Sequence, residues 1–176
     1  MKDKLPNREQ AIKLLEDNNC PPKVINHCKA VTTLAIEIAR ELQAKGILLD
    51  LELVEAGALL HDLGRSKNHG VEHGLIGAQM AKTIGLPESI AGIMKRHVGA
   101  GISNNEAEWF KWPQDNYLPN SIEEKVVCYA DKCIDNDKVT PIEVEINKLQ
   151  NNGFPKAAER VRRLHAEITH LLGEKP

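Results

Sequence analysis

Apolar residues recur at intervals of three or four along most of this chain, which is the spacing of one face of an α-helix. The clearest case is a predicted helix from Pro22 to about Lys45, which opens with a proline and stops at Gly46. One histidine falls within its apolar stripe, so His27 is predicted to face the core. The stripe consists of Val24, His27, Val31, Leu34, Ile38 and Leu42.

The stretch Leu51–Gly64 is apolar or small on nearly all sides, and this pattern predicts the central helix of the fold. Asp50 precedes it as the expected N-cap, and Gly64 is the residue type that most often ends a helix. Two ionisable residues, His61 and Asp62, close this helix. Because a buried carboxylate is costly unless it is paired, hydrogen-bonded or bound to a metal, Asp62 must have a partner.

Start and stop signals mark the other helices. Asn7 with Gln10 and Ser121 with Glu124 are capping-box pairs, and residues 140–143 combine an N-cap, a proline and a glutamate at the third helical position. No segment shows the alternation of a strand, so the predicted fold class is all-α. The other predicted helices are Arg8–Asp17, His73–Ile84, Pro87–His97, Ser121–Asp135, one starting at residues 140–143, and Pro155–Leu172.

The periodicity is lost between Gly99 and Asn120, where at most one short helix is predicted near Asn105–Phe110. This segment holds most of the aromatic residues of the chain, and long irregular segments in compact domains are often functional lids. Two interpretations stay open at this point. The segment is either a lid that governs substrate choice or an aromatic plug at one end of the helical core.

Composition narrows the class of protein. The 176 residues suffice for one domain, and a net charge of −2 with 27% charged residues leaves no basic excess for a broad nucleic-acid surface. No apolar run resembles a signal peptide or approaches the roughly 18 residues of a membrane span, so the cytoplasm is the expected location. The cysteines form no CxxC pair and are expected to be reduced apolar residues. They are Cys20, Cys28, Cys128 and Cys133.

Four polar residues are predicted on the inward faces of three different helices. Each alone has an ordinary explanation, such as a core histidine bonded to a carbonyl or an aspartate that caps a helix. Two carboxylates and two imidazoles together need counter-charge, and a divalent cation supplies it while accepting oxygen and nitrogen ligands. A metal site is therefore the economical interpretation. The four residues are His27, His61, Asp62 and Asp131.

The order His27, His61-Asp62 and Asp131, with HDLG after a buried helix, resembles the HD-domain superfamily of metal-dependent phosphohydrolases. The resemblance implies a single-domain helical bundle in which these four residues hold a metal. Around it we expect a helical brace at residues 1–20, an HD-domain core at 21–135 and C-terminal helices that pack on the core at 136–176.

Many members of this superfamily carry two more histidines that ligate a second metal or contact the substrate phosphate. His73 in EHGLIGA and His97 in KRHVGAGI match those positions, as in the subgroup that includes bacterial diadenosine-tetraphosphate hydrolases. HVGAGI with DNYLPNSIEEKVVCYADK also resembles small archaeal HD proteins. Arg65 replaces the lysine of the frequent HDIGK form, and the GYP motif of the cyclic-dinucleotide phosphodiesterases is absent, so that branch is not expected.

The resemblance implies hydrolysis of a phosphoester or phosphoanhydride bond in a small nucleotide-like substrate by metal-activated water. The expected cofactor is one or two divalent transition-metal ions: Mn, Fe, Co, Ni or Zn. Asp62 is the expected bridging ligand and proton acceptor, and Arg65 is the expected catalytic cation. The predicted substrate-binding residues are Arg65, Lys67, His73 and His97, with His69 as an alternative contact.

Two other classes of function remain. One is a non-catalytic HD module that binds a nucleotide and signals to a partner, although a binding-only module has no need to keep all four metal ligands. The other is a purely structural helical protein, which would leave Asp62 and Asp131 as unexplained buried charges. His165 and His170 are expected at the surface of the last helix, and the sequence leaves the oligomeric state open.

Overall fold

Residues 4–173 are described by this computed structural model, and in that range they form nine α-helices and one two-stranded hairpin. The helices are α1 (Arg8–Asp17), α2 (Pro22–Ala44), α3 (Leu51–Leu60), α4 (His73–Thr83), α5 (Glu88–Arg96), α6 (Asn104–Trp109), α7 (Ile122–Lys132), α8 (Ile142–Asn151) and α9 (Pro155–Leu172). The strands are β1 (Ile134–Asp135) and β2 (Lys138–Val139). The all-α class is therefore confirmed.

Helix α3 is the centre of the fold, as its apolar sequence predicts. Val54 and Ala58 belong to an apolar cluster shared with α2, α7 and α9. Leu59 and Leu60 belong to a second cluster shared with α1, α4 and α5. Because α3 is buried on both sides, the residues that directly follow its last turn lie in the interior of the molecule.

The end of α3 differs from the prediction. The helix stops at Leu60, and Leu63–Ser66 form a separate 3-10 turn. Gly64 does not end the helix in a left-handed conformation; it allows α4 to approach, since a Cβ at this position would lie 1.9 Å from the carbonyl oxygen of His73. The glycine therefore brings the HD pair close to the start of α4.

The hairpin was not predicted. Helix α7 ends at Lys132 instead of continuing to Asp135, and Ile134 pairs with Val139 in an antiparallel register. Thr140 is not the cap of α8, since that helix starts at Ile142 with Pro141 at the N-cap and no side-chain capping bond; its amide N–H instead donates to the carbonyl of Cys133 and extends the hairpin. Two-residue strands are too short to show alternation, which is why the sequence pattern missed them.

The segment Gly99–Asn120 packs as a plug. Ile102, Ala107 and Tyr117 are buried and form a small cluster. Its partly buried members are Val71, Leu75, Val98, Phe110 and Trp112. The one short helix expected here is α6. This favours the plug over the lid.

Several smaller expectations can be compared with the structure. All four cysteines are free and buried, in agreement with the prediction. His170 is exposed, and His165 is partly exposed, with its ring stacked on Tyr129 at a centroid distance of 5.7 Å. No helix in the described range is long and apolar enough to span a membrane. The division at residues 20 and 135 stays a prediction, and residues 1–3 and 174–176 of its outer segments lie outside the described residues.

Candidate metal centre

Six predicted site residues from five helical regions meet at one point. His61 and Asp62 directly follow α3, His73 is the first residue of α4, and His97 directly follows α5. Most of them sit at helix ends, where the backbone can turn the side chain inward. The two remaining residues are His27 in the second turn of α2 and Asp131 in the last turn of α7.

One half of the cluster is organised by Asp131. Its Oδ1 lies 2.9 Å from His27 Nε2 and 3.4 Å from His61 Nε2. Its Oδ2 accepts a hydrogen bond of 2.5 Å from Lys132 Nζ. The carboxylate therefore divides its two oxygens between a pair of imidazoles and a cation.

The other half repeats this division around Asp62. Its Oδ1 lies 3.1 Å from His73 Nε2 and 3.4 Å from His97 Nε2. Its Oδ2 accepts a hydrogen bond of 2.6 Å from Arg65 Nε. The same Oδ2 is 3.8 Å from His61 Nε2 and 3.9 Å from His27 Nε2, so Asp62 lies between both halves.

All four imidazoles turn the same nitrogen inward. The Nδ1 atoms of His61, His73 and His97 lie 2.7–2.8 Å from backbone carbonyls three residues earlier, and His27 Nδ1 lies 2.7 Å from a carbonyl of the hairpin. Because a carbonyl only accepts, each of these hydrogen bonds requires the proton on Nδ1. A neutral ring then presents the Nε2 lone pair to the cluster, the arrangement typical of metal-bound histidines.

Two buried atoms of the cluster lack a hydrogen-bond partner among the described residues, His61 Nε2 and Asp62 Oδ1. The Nε2 atoms of His73 and His97 also lie only 3.0 Å apart. If both rings are neutral with Nδ1 protonated, these two lone pairs face each other and repel unless a cation or proton intervenes. Mixed imidazole and carboxylate donors suit a divalent transition metal. The residues present therefore fit a metal.

Two triads of donor atoms are compact enough to hold an ion, each with its atoms within 4.8 Å of one another. One triad is His27, His61 and Asp131, and the other is His61, Asp62 and His97. His73 adds a donor to the second group through its contact with Asp62. Because both triads use His61 and only its Nε2 faces the cluster, an ion in one triad leaves the other without that nitrogen.

The electrostatics keep the carboxylates ionised. Burial alone would raise the pKa of Asp131, but Lys132 and the neighbouring imidazoles outweigh burial and hold that pKa well below its usual value. The pKa of Asp62 is likewise well below its usual value despite burial, because of His61, His73 and His97. Burial lowers the pKa of His97 to about 4, so this ring is neutral at pH 7 and is able to ligate a metal.

A pocket of about 390 Å³ opens onto the cluster. Arg65 and His69 line it, whereas Lys67 is exposed and is absent from the described lining. The lining includes no residue of the plug at 99–120 either. Sequence reasoning missed six charged or polar residues of this pocket. They are Lys23, Lys132, Asp135, Asn136, Glu145 and Lys148.

Of the missed residues, Lys132 was the one with a signal in the sequence, since it directly follows Asp131. Burial opposes its charge, but the Asp131 carboxylate outweighs burial and raises the pKa of Lys132. Asn136 had no such signal, because its contact with the cluster is made by a backbone carbonyl.

A family model described as HD domain matches residues 24–135. The chain belongs to the HD-domain family. An uncharacterized protein of Methanocaldococcus jannaschii is 41% identical to this HD-domain chain, over 93% of the chain and 98% of the relative. The resemblance drawn from the sequence is thus confirmed.

Three other comparisons concern two longer proteins and one solved structure. The tRNA (cytidine(56)-2'-O)-methyltransferase of Thermoplasma volcanium is 35% identical over 97% of the chain, which spans about half (49%) of that protein. The ribonuclease Y of Acidothermus cellulolyticus is 38% identical over 76 residues, 42% of the chain and 14% of that protein. The HD domain of the L. monocytogenes phosphodiesterase PgpH, solved with cyclic-di-AMP, has the same fold, with a TM-score of 0.57, 16% identity and coverage of 94% and 98%.

Proposed function

We propose that this HD-domain protein is a metal-dependent phosphohydrolase that cleaves a phosphoester or phosphoanhydride bond in a nucleotide-like substrate. The observation that carries the proposal is the pair of unpartnered buried atoms, His61 Nε2 and Asp62 Oδ1, inside a cluster of six predicted ligands. Family membership supports the same chemistry. The ligands would be His27, His61 and Asp131 in one half and Asp62, His73 and His97 in the other.

When bound, a divalent ion polarises a phosphoryl oxygen and lowers the pKa of water. The chain's own residues position the reactants. Asp62 lies between both halves, and with its depressed pKa it orients the attacking water by accepting a hydrogen bond. Arg65 lines the pocket with its side chain about one-third exposed (32%), so its guanidinium can leave Asp62 for a substrate phosphate.

The pocket favours a phosphorylated substrate of modest size. Its volume of about 390 Å³ is near the lower end of small-molecule sites. Four cations line it and can contact a phosphate group, but four carboxylates line it as well, so a bound metal would have to supply the surplus positive charge. The relatives point to nucleotides, since a methyltransferase and a ribonuclease are named for RNA and the PgpH domain was solved with cyclic-di-AMP. The four cations are Lys23, Arg65, Lys132 and Lys148.

The test combines metal analysis with hydrolysis assays of the purified protein. A phosphodiester, a phosphomonoester and a dinucleoside polyphosphate would each be assayed with Mn²⁺, Co²⁺, Ni²⁺, Fe²⁺ and Zn²⁺. We expect bound metal and turnover in the wild type, and in Asp62→Ala a loss of about 10³-fold in kcat/KM for any accepted substrate. Asp17→Ala, at an exposed aspartate paired with Lys13, is the matched control.

The outcomes separate the classes of function. Metal-dependent turnover that Asp62→Ala abolishes supports the hydrolase. Nucleotide binding without turnover under any of the five metals would identify the non-catalytic HD module instead. Equal turnover by Asp62→Ala and wild type would show that the cluster is not the active site.

A further inference from the structure

Three of the four imidazoles in the cluster are held by their own chain segment. His61, His73 and His97 each donate from Nδ1 to the carbonyl three residues earlier, so the local backbone turn orients each ring. His27 is different. Its Nδ1 donates over 2.7 Å to the carbonyl of Asn136, which is 109 residues away in the sequence.

His27 also has the least packing around it. Its side chain is 16% exposed, whereas those of His61, His73 and His97 are 0%, 4% and 2% exposed. A ring that is open to the pocket on one side depends more on its hydrogen bonds to stay in one orientation. The Asn136 carbonyl and Asp131 are the two groups that bond to this ring in the described structure.

The hairpin presents this carbonyl in an unusual backbone conformation. Asn136 lies directly after β1 with φ +59°, in the left-handed region. Asparagine tolerates this region better than most residues, whereas a β-branched residue does not. The hairpin is held to the core by buried Ile134 and closed by the bond from the Thr140 amide to Cys133. The turn is therefore anchored on both sides of Asn136.

We propose that Asn136 is a positioning residue for the metal centre. Its left-handed backbone directs the carbonyl at His27 Nδ1, and this bond aims His27 Nε2 at Asp131, with which it would hold the metal. The inference rests on the metal centre of the proposed function. Hydrogen-bond partners behind metal-bound histidines typically contribute 10- to 100-fold to metal affinity, so a displaced carbonyl should have an effect of about that size.

The experiment measures Zn²⁺ affinity by competition with a chelator for a series at position 136. Asn136→Val disfavours the left-handed backbone and should weaken binding about 10- to 100-fold. Asn136→Gly keeps that backbone and should restore affinity close to the wild type. Asn136→Ala should fall between them and serves if the valine variant does not fold. Lys138→Val, at an exposed strand position of the same hairpin, is the matched control.

A second readout needs no metal. Long-range ¹⁵N–¹H spectra of the metal-free protein report which ring nitrogen carries the proton. In Asn136→Val we expect the Nδ1–H signal of His27 alone to shift, because its hydrogen bond to the carbonyl of residue 136 is lost, while the other three rings keep their spectra. Circular dichroism would establish that each variant is folded.

Several results would overturn the inference. Asn136→Val with wild-type Zn²⁺ affinity and an unchanged His27 spectrum would do so, as would equal losses in Asn136→Gly and Asn136→Val or a comparable loss in Lys138→Val. A wild type that binds no Zn²⁺ or other divalent ion would refute the metal centre itself. Tight Zn²⁺ binding without hydrolysis would refute the proposed activity and leave the role of Asn136 intact.

Discussion

Two regions of this protein drew attention in the sequence, the six-residue cluster of histidines and aspartates and the aromatic plug at residues 99–120. In the structure the cluster is buried, polar and incompletely satisfied, with His61 Nε2 and Asp62 Oδ1 lacking partners among the described residues. The plug is anchored: Lys95 donates to Asp115 over 2.5 Å, and Tyr117 donates to the carbonyl of Pro113 over 2.8 Å. In the plug, Trp112 Nε1 also lacks a partner among the described residues.

The contrast separates function from stability. Phe110 stacks on Trp112 with centroids 5.2 Å apart, and Trp112 meets Tyr117 edge to face at 5.2 Å. Such contacts stabilise a fold without leaving reactive groups. Buried polar atoms without partners cost stability. The indole N–H of Trp112 can only donate a hydrogen bond, whereas the unpartnered imidazole nitrogen and carboxylate oxygen of the cluster can bind a cation. Variants in the cluster should therefore change activity and metal binding, and variants in the plug should change the free energy of unfolding.

The largest expected effect is that of Asp131→Asn, which keeps the volume of the side chain and removes its charge. We expect kcat/KM to fall about 10³-fold and metal affinity to weaken, because one half of the cluster loses its carboxylate. Steady-state kinetics and metal titration measure both. Asp137→Asn, at an exposed hairpin position, should match the wild type. Full activity in Asp131→Asn would show that activity does not depend on the cluster and would contradict the functional difference between the cluster and the plug.

Trp112→Ala should produce the opposite pattern. Loss of the ring from its stack should lower the free energy of unfolding by about 3 kcal/mol, as measured by urea denaturation. The kcat/KM of the folded variant should stay within about threefold of the wild type, since the pocket lining does not include this residue. A large drop in kcat with unchanged stability would instead support the lid.

Lys132→Met should lower stability by a smaller amount that depends on metal. The Lys132 and Asp131 side chains are 9% and 11% exposed, so removing the ammonium leaves a nearly buried carboxylate short of one partner. We expect a loss of about 2 kcal/mol in metal-free protein and a smaller loss with saturating Zn²⁺, because the ion replaces the missing charge. Thermal unfolding with and without Zn²⁺ measures the difference. An equal loss in both conditions would contradict a cation beside Asp131.

Lys125→Met provides the control for that measurement. Its partner Glu167 is 43% exposed, and a surface pair of this kind contributes less than about 1 kcal/mol. Its effect should not depend on Zn²⁺.

The smallest effect is expected for Trp109→Ala. This ring is 78% exposed although it lies in the plug, so its removal should change the free energy of unfolding by less than about 0.5 kcal/mol. The same urea experiment as for Trp112 measures it. A marked change in KM here would show that the exposed ring contacts the substrate and would reopen the lid interpretation.

Much of the helical framework was predictable because its signals are local. The bounds of α1 and α9 agree with the prediction to the residue, since a capping box opens α1 and Pro155 opens α9. Both capping boxes are present in the structure. The errors occur where a contact with another segment overrides the local helix signal. At Gly64 the glycine serves the close approach of α4 and does not end α3. Thr140 joins the hairpin instead of capping α8.

The six predicted site residues do come together, although their roles as ligands stay a prediction. The HD pair and the helical spacing of His27 and Asp131 carried that inference, because residue type and period together indicate which side chains face the core. For Lys67 no helical period indicated the direction of the side chain, and this residue is not part of the pocket lining.

The sequence by itself determined the helices, the central position of α3 and the identity of the inward-facing imidazoles and carboxylates. Only the tertiary structure decided which imidazoles face each carboxylate, with His27 and His61 at Asp131 and His73 and His97 at Asp62. It alone placed the Asn136 carbonyl behind His27. The physical reason is range: caps and periodicity act within a few residues, whereas bonds across 104 and 109 residues exist only once the helices have packed.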